Sequence, residues 1–588
     1  MERIEEYTQL KAALEKELFA TKNQLTNLSV LRLLVFALTG VLVYATFNQV
    51  ITPIIMGLIG IISFTRLLFR YLKVSEKKKI LLAKIELNRI EIKAQQKDVS
   101  SLDSGKKFIN SNHAFSHDID LFGEGSFYQY INRTSTKEGA QRLATSLTEN
   151  TIDFIKKKQD AIAELATMMT WRQHFSAIAS LVKVDVPTKT IVDFIRNYEP
   201  VFSKRAKQLP VLFTVLSVVI ITAVSFQWIA INWLLLWFFV GMGITGSFLK
   251  RTQDLYTKAG KAKGIFKQYH QLLQQIENED FSSEWLLEQQ KAIQSEKEKA
   301  STIFMKFSKR LDAFDQRNNL FIAFLGNAFL LWDLQCAARV EFWIEDYQHT
   351  VEKWFEVIEF FDAQNSLGNF CYNHPSYVMP DIKEEGPIIQ SEALGHPLLH
   401  PDKRVNNDFR IDKRQFYVVT GANMAGKSTF LRTVSLSIVM ANIGLPVCAK
   451  RFEYVPIRLI TSMRTSDSLA DDESYFYSEL KRLKFIVDEI DLKDYFIILD
   501  EILKGTNSKD KAIGSKKFVE KLVASQSTGI IATHDVSLCE LEKELPQIQN
   551  YYFDAQIVEN ELYFDYTFQK GVCQNMNASF LLNKMKII

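Results

Sequence analysis

Two stretches of this 588-residue chain are almost wholly apolar, and most of the remainder spaces its apolar residues among charged ones at helical intervals. The first apolar stretch runs from about Val30 to Phe69 and breaks near Asn48–Gln49. The second runs from about Leu209 to Phe248 and breaks near Gln227–Trp228. A helix needs about 20 apolar residues to cross a bilayer. Each stretch is double that length and predicts two spans joined by a tight turn. A pair of buried core helices is the competing reading. Against it, neither stretch contains Lys, Asp or Glu, and Arg32 and Arg66 lie towards the ends of the first.

The flanks give an orientation. Lys22, Arg32, Arg70, Lys73 and Lys77–Lys79 surround the first hairpin, and Lys204, Arg205, Lys207, Lys250 and Arg251 surround the second. The two turns carry no basic residue. Positive charge is retained on the cytoplasmic side. The expectation is an integral protein of the cytoplasmic membrane, with the lipid bilayer as a partner and with both termini, the 74–208 loop and the C-terminal domain cytoplasmic. The first apolar run starts behind an acidic helix, so no cleaved signal peptide is expected.

Outside these runs the chain divides by pattern. Residues 1–29 predict a charged helix with Ile4, Leu10, Leu14 and Leu18 as its packing stripe. The first hairpin takes 30–72 and a second charged helix 73–112. Residues 113–208 and 250–385 predict the two parts of an all-α domain, separated by the second hairpin at 209–249. Phe342, Trp343, Tyr347 and Trp354 form an aromatic stripe there that predicts core. From 386 to 588 short β-like runs alternate with helices, the pattern of a mainly parallel α/β domain. The net charge of +3 provides no global basic field of the kind that marks nucleic-acid binding. The five cysteines lack metal or redox spacing and predict reduced thiols.

The chemistry concentrates in the last third. Gln415–Thr420 predicts a buried strand, and Gly421–Ser428 (GANMAGKS) follows with the glycine-x4-glycine-lysine-serine spacing of a phosphate-binding loop. Glycines at 421 and 426 permit backbone turns that a side chain would block. The amides of Ala422, Asn423, Met424 and Ala425 then face the phosphates, aided by the N-terminus of the next helix. Lys427 is placed for the β- and γ-phosphates, Ser428 for Mg²⁺, and Thr429 opens the helix. Tyr495–Leu499 predicts a second buried strand ending in Asp500 and Glu501. Asp500 is the expected second holder of Mg²⁺, and Glu501 the group that polarises the attacking water. Ile530–Asp535 predicts a third strand with His534 at its tip as a γ-phosphate sensor. The expected reaction is ATP hydrolysis, with Glu501, Lys427 and His534 as its catalytic residues.

These elements resemble, in order and wording, the MutS family of mismatch-repair ATPases within the ABC-type ATPase superfamily. GANMAGKSTFLR, LDEILKGTNSKD and ATHD carry the likeness, with GHPLL at Gly395–Leu399 and NND at Asn406–Asp408 before them. The likeness covers about 390–583. It extends more weakly into Phe122–Leu147 and the helix from Glu149, similar to the opening of the family's core and lever. It implies an all-α core and lever domain and a C-terminal α/β P-loop ATPase domain of the ABC/MutS type; with the two transmembrane helical hairpins read from the apolar stretches, the expected fold is multidomain. It also implies a dimer, here a homodimer, with composite ATP sites. Ser474 is then the residue that reaches the partner's γ-phosphate, and DNA is a partner by inheritance. The pattern departs from the family in places. Residues 1–112 leave no room for a mismatch-reading domain, and the second hairpin falls where the DNA clamp is expected. Phe122–Gly123–Glu124 belongs to the core opening rather than to a mismatch-reading motif. Acidic Asp471–Asp472 stands in the signature loop, and Val536 where a second histidine is common. Neither a nuclease nor a helix-turn-helix is expected after the ATPase domain. Two alternatives stay open: an ABC-type membrane transporter, and a scaffold that binds ATP at the membrane as a switch.

Overall fold

Both apolar stretches fold as helical hairpins in the structure, a computed structural model that describes residues 2–181, 187–294, 298–464, 475–558 and 561–574. The first hairpin pairs helix Glu2–Ala45 with helix Thr52–Gln95. Each charged segment and its apolar neighbour form one continuous helix of 44 residues, about 66 Å long. Pro53 sits in the first turn of the second helix, where its missing N–H removes no hydrogen bond. That helix ends at Gln95 rather than running to 112, because Lys97 adopts a left-handed φ of 65° and a turn-rich segment follows. The second hairpin pairs Lys204–Ser225 with Asn232–Gly260. Among the described residues four helices are long and apolar enough to cross a membrane, with their apolar windows 0–17% buried.

The rest of residues 106–373 is largely helical and forms a body around helix Val351–Asn373, most of whose residues are buried. Two polar latches fix the hairpins to this body. In the first, Glu91 accepts from Arg133 Nε at 2.6 Å and from Asn369 and Asn373 Nδ2 at 2.9 Å each, while Tyr7 donates to Asn373 Oδ1 at 2.7 Å. In the second, Lys207 pairs with Glu341 at 3.0 Å and Glu345 at 2.7 Å. Glu341 is fully buried and also accepts from Tyr198 Oη at 2.7 Å and the Val201 amide at 2.6 Å. Of the aromatic stripe, Trp343 and Trp354 are core, whereas Phe342 is about half exposed. The spine also carries Asp362, fully buried, which accepts from the Ser135 and Thr136 amides and the Thr136 hydroxyl. These bonds hold Thr136 as the N-cap of helix Lys137–Thr148.

The C-terminal domain is α/β. Its strands are β1 (Asp381–Ile382), β2 (Ile389–Leu394), β3 (Asn407–Ile411), β4 (Phe416–Gly421), β5 (Arg451–Tyr454), β6 (Arg458–Ser462), β7 (Tyr495–Asp500), β8 (Thr528–Ala532), β9 (Ile548–Phe553), β10 (Gln556–Val558), β11 (Glu561–Tyr563) and β12 (Phe568–Lys570). The main sheet has order β12-β9-β4-β8-β7-β6, parallel throughout except for β12. Helices Lys427–Asn442, Tyr475–Ile490 and Ser508–Ala524 connect its strands, and runs such as YFIIL are apolar throughout because the strands are buried on both faces. A smaller sheet, β1-β5-β2-β3, takes in residues ahead of 386. One apolar core runs from Phe127 and Leu143 of the body to Val419 and Leu431 of this domain. Asp118 reaches across the same boundary to the Thr461 hydroxyl at 2.6 Å.

Candidate functional site

Strands β4, β8 and β7 are neighbours in the parallel sheet, so their C-terminal ends lie side by side. Ligand sites in such sheets form at that edge. The segment 421–426 leaves β4 there and turns into helix Lys427–Asn442. Gly421 has φ 153°, and a Cβ on it would stand 2.8 Å from the Phe553 carbonyl oxygen. Gly426, at φ 103°, makes the left-handed turn into the helix. Met424 also takes a left-handed φ, 68°, and is 77% exposed.

The charged groups converge behind this loop. Lys427 is buried and donates to the Gly421 carbonyl at 2.7 Å and the Ala422 carbonyl at 2.9 Å. Its burial lowers its pKa, against the pull of Asp500 and Glu501. Ser428 Oγ donates to Asp500 Oδ2 at 2.6 Å. Glu501 follows with φ 54°, its amide donating to the Ala532 carbonyl at 2.9 Å. That bond ties the end of β7 to the end of β8. His534 Nε2 lies 2.8 Å from Glu501 Oε1 and 3.4 Å from Lys427 Nζ. The hydrogen bond from His534 holds the Glu501 carboxyl down to about 2, with burial opposing.

A cavity of about 540 Å³ opens over these groups and is lined by residues 422–430, Asp500, Glu501 and His534. Its remaining wall comes partly from the GHPLL segment and partly from residues that the sequence pattern does not single out. Leu399, Lys403 and Val405 arrive on the β2–β3 connection, and Tyr566 lies between β11 and β12. His396, from the GHPLL segment, also lines it and is pushed down to about 4 by burial, so it stands neutral. Ordinary chemistry hides Lys403, Val405 and Tyr566 in the sequence; only the fold gathers them. The structure thus brings Ala422, Asn423, Met424, Ala425, Gly426, Lys427, Ser428 and Thr429 together with Asp500, Glu501 and His534, and sets Gly421 directly beneath them. Ser474 and Asp471–Asp472 lie outside the described residues. Val536 opens a short 3-10 turn and is 38% exposed.

The site offers the loop amides, a buried ammonium, apolar side chains and Tyr566, whose ring lies against Gly426. That combination suits a polyanion carrying a flat base. Oxygen ligands from Ser428 and Asp500 suit a hard divalent cation. Among the described residues no group of three or more His, Cys, Asp and Glu could hold a metal by itself. A cation here would take most of its ligands from phosphate and water.

Comparison with known proteins places this domain. Residues 417–584 match the model of MutS domain V. The chain is 27% identical over 245 residues to MutS protein homolog 4 of Homo sapiens, covering 40% of this chain and 26% of that protein. It is 31% identical over 211 residues to the DNA mismatch repair protein MSH4 of Arabidopsis thaliana, covering 35% and 26% respectively. It is 37% identical over 180 residues to the DNA mismatch repair protein MutS of Thermotoga petrophila, covering 30% and 22%. The chain spans about a quarter of the length of these curated relatives. These matches support membership of the MutS family through the C-terminal α/β domain.

Proposed function

We propose that this chain, related to MutS through its C-terminal domain, is a membrane-anchored ATPase that uses ATP hydrolysis to move its helical body against the bilayer. The observation that carries this reading is the convergence of the 421–429 loop, Asp500, Glu501 and His534 on one cavity. ATP enters with its phosphates on the loop amides. Lys427 exchanges its two carbonyl partners for phosphate oxygens. Ser428 and Asp500 hold Mg²⁺, which supplies charge neutralisation at the phosphates when bound. Glu501 orients and polarises the attacking water, and His534 donates to the developing charge on the γ-phosphate. Two copies of the chain, each completing the other's site, form the working unit.

The four long apolar helices and their basic flanks support anchoring in the cytoplasmic membrane, with the ATPase domain in the cytoplasm. The two latches support transmission, because they join each hairpin to the helical body by buried hydrogen bonds and ion pairs. DNA enters this reading only through the relatives, whose names refer to mismatch repair. The reading takes from them the nucleotide engine and places its output at the membrane.

Turnover in detergent or vesicles tests the site. Lys427→Ala and Glu501→Gln should each lower ATP hydrolysis by roughly 10²-fold or more, with Glu501→Gln still binding ATP. Unchanged turnover in either variant would remove the assignment. Adding duplex, mismatched or branched DNA tests the inherited partner, and a flat ATPase rate across all three would exclude it.

A further inference from the structure

Between Arg317 and Asp333 the chain carries no charged residue: NNLFIAFLGNAFLLW. Fifteen residues are too few to cross a bilayer. In the fold this segment leaves the helical body, climbs along the second hairpin and returns. Its path can be followed on helix Asn232–Gly260. At the base, Lys263 pairs with Asp312 and Asp315. Higher up, Asn318 Nδ2 donates to Tyr256 Oη at 3.0 Å. At the tip, residues Asn327–Leu330 pack against both helices of the hairpin. There a Cβ on Gly241 would stand 2.1 Å from the Ala328 carbonyl oxygen, and the Phe238 and Phe329 rings meet edge to face. The climb from Tyr256 to Gly241 is about 22 Å.

Gly241 fixes the depth. Lys250, the first basic residue after the apolar stretch, lies nine residues further on, about 14 Å along the helix. The hydrocarbon core is about 30 Å thick, so the tip stands near its middle. The backbone suits that place. Residues Ile322–Gly326 form a π-helical turn, Asn327 donates to the Ala323 carbonyl and accepts from the Asp333 amide, and Leu331 reverses the chain at φ 47°. Irregular backbone is tolerated at membrane depth only when its polar groups are satisfied by protein in this way. The neck is closed by an Arg317–Asp333 ion pair at 2.9 Å, both side chains less than a tenth exposed.

The outward side is what needs a partner. Leu320, Phe321, Phe324 and Leu325 are 74%, 75%, 53% and 52% exposed. Leu235, Leu236 and Phe239 on the adjoining helix are likewise more than half exposed. We infer that residues 318–332 form a re-entrant element that enters the bilayer beside the second hairpin and covers these four side chains with lipid acyl chains. The inference rests on the membrane reading above and extends it to a segment too short to read as a span.

A nitroxide on an introduced cysteine tests it in phosphatidylethanolamine–phosphatidylglycerol vesicles. Phe321→Cys and Phe324→Cys are exposed positions, so the fold survives them. Leu235→Cys reports the hairpin and Lys353→Cys the cytoplasmic body. The unsubstituted protein, with Cys336, Cys448, Cys539 and Cys573 buried, supplies the labelling blank. Collisions with oxygen, which concentrates in lipid, and with a water-soluble nickel chelate are compared by power saturation. The expected result is high oxygen and lost nickel accessibility at 235, 321 and 324, with the reverse at 353. Nickel access at 321 and 324 with a dry 235 overturns the re-entrant element and leaves the anchoring intact. Nickel access at 235 as well overturns both.

Discussion

Replacing His534 by alanine should do more than remove a donor from the γ-phosphate. In the resting site His534 Nε2 is committed to Glu501 Oε1 at 2.8 Å, and Lys427 Nζ stands 3.4 Å from the same nitrogen. The Glu501 carboxyl is held from 4.5 down to about 2 mainly by that hydrogen bond. Such a difference corresponds to ~3 kcal/mol if undiluted. Glu501 is about a quarter exposed, so solvent screening reduces the pair's worth to about 1–2 kcal/mol. Losing a donor aimed at developing charge costs roughly 10²–10³ in rate. Losing a positioned base costs roughly 10²–10⁴. Because the two side chains bind each other, their losses should not add. The double variant His534→Ala/Glu501→Gln is expected to retain about 5–30-fold more activity than the product of the single effects, the rate equivalent of that coupling. Steady-state ATPase rates for wild type, both singles and the double measure it. Strict additivity would refute the pairing, and a fully active His534→Ala would refute the sensor.

Two further outcomes follow from the body. Lys207→Met strands Glu341, fully buried, and should destabilise the body by about 3–5 kcal/mol, with faster hydrogen exchange over Tyr198–Lys207; Lys207→Met/Glu341→Leu should recover most of the loss. Unchanged exchange in the single variant would count against the latch. Asp362 is pushed up to about 6 by burial, well above the ~3.9 of an unfolded aspartate. The folded state therefore holds its proton more tightly, and its share of stability is present below about pH 4 and lost as pH rises to about 6, by at most about 3 kcal/mol. Thermal melts by circular dichroism from pH 4 to 7 should show this slope in wild type relative to Asp362→Asn, and parallel curves would exclude it.

The C-terminal α/β domain is the most legible part of the chain because its signals are local. A glycine-lysine-serine loop after QFYVVT, and two acids after YFIIL, need only neighbours in sequence to be noticed. The mostly helical body with a C-terminal α/β domain follows from hydrophobic periodicity in the same way. What escaped is non-local. Glu91 is one glutamate among many on a charged helix until Arg133, Asn369 and Asn373 surround it. Lys403, Val405 and Tyr566 acquire a shared purpose only when the β2–β3 connection and the approach to β12 bring them over one cavity. Residues 318–332 escaped for a different reason: aromatic residues at helical spacing usually mean core, and the run is shorter than a membrane span. The end of the second long helix was missed because Lys97, an ordinary helix former, takes a left-handed conformation there.

The first hairpin deserves to be considered as a measuring rod. Each of its helices is about 66 Å long, and under the proposed anchoring a bilayer core would take up about 30 Å of that. The rest is a paired stalk whose far end is clamped through Tyr7 and Glu91 to Asn373, just before the α/β domain starts. A continuous helix has no slack. Adding a single residue would turn the clamp by about 100° and shift it by about 1.5 Å. Evolutionary change in the stalk's length is therefore confined to steps that restore the facing of Tyr7 and Glu91 together. Under the proposed anchoring, the height of the α/β domain above the membrane would be quantised by the helix repeat.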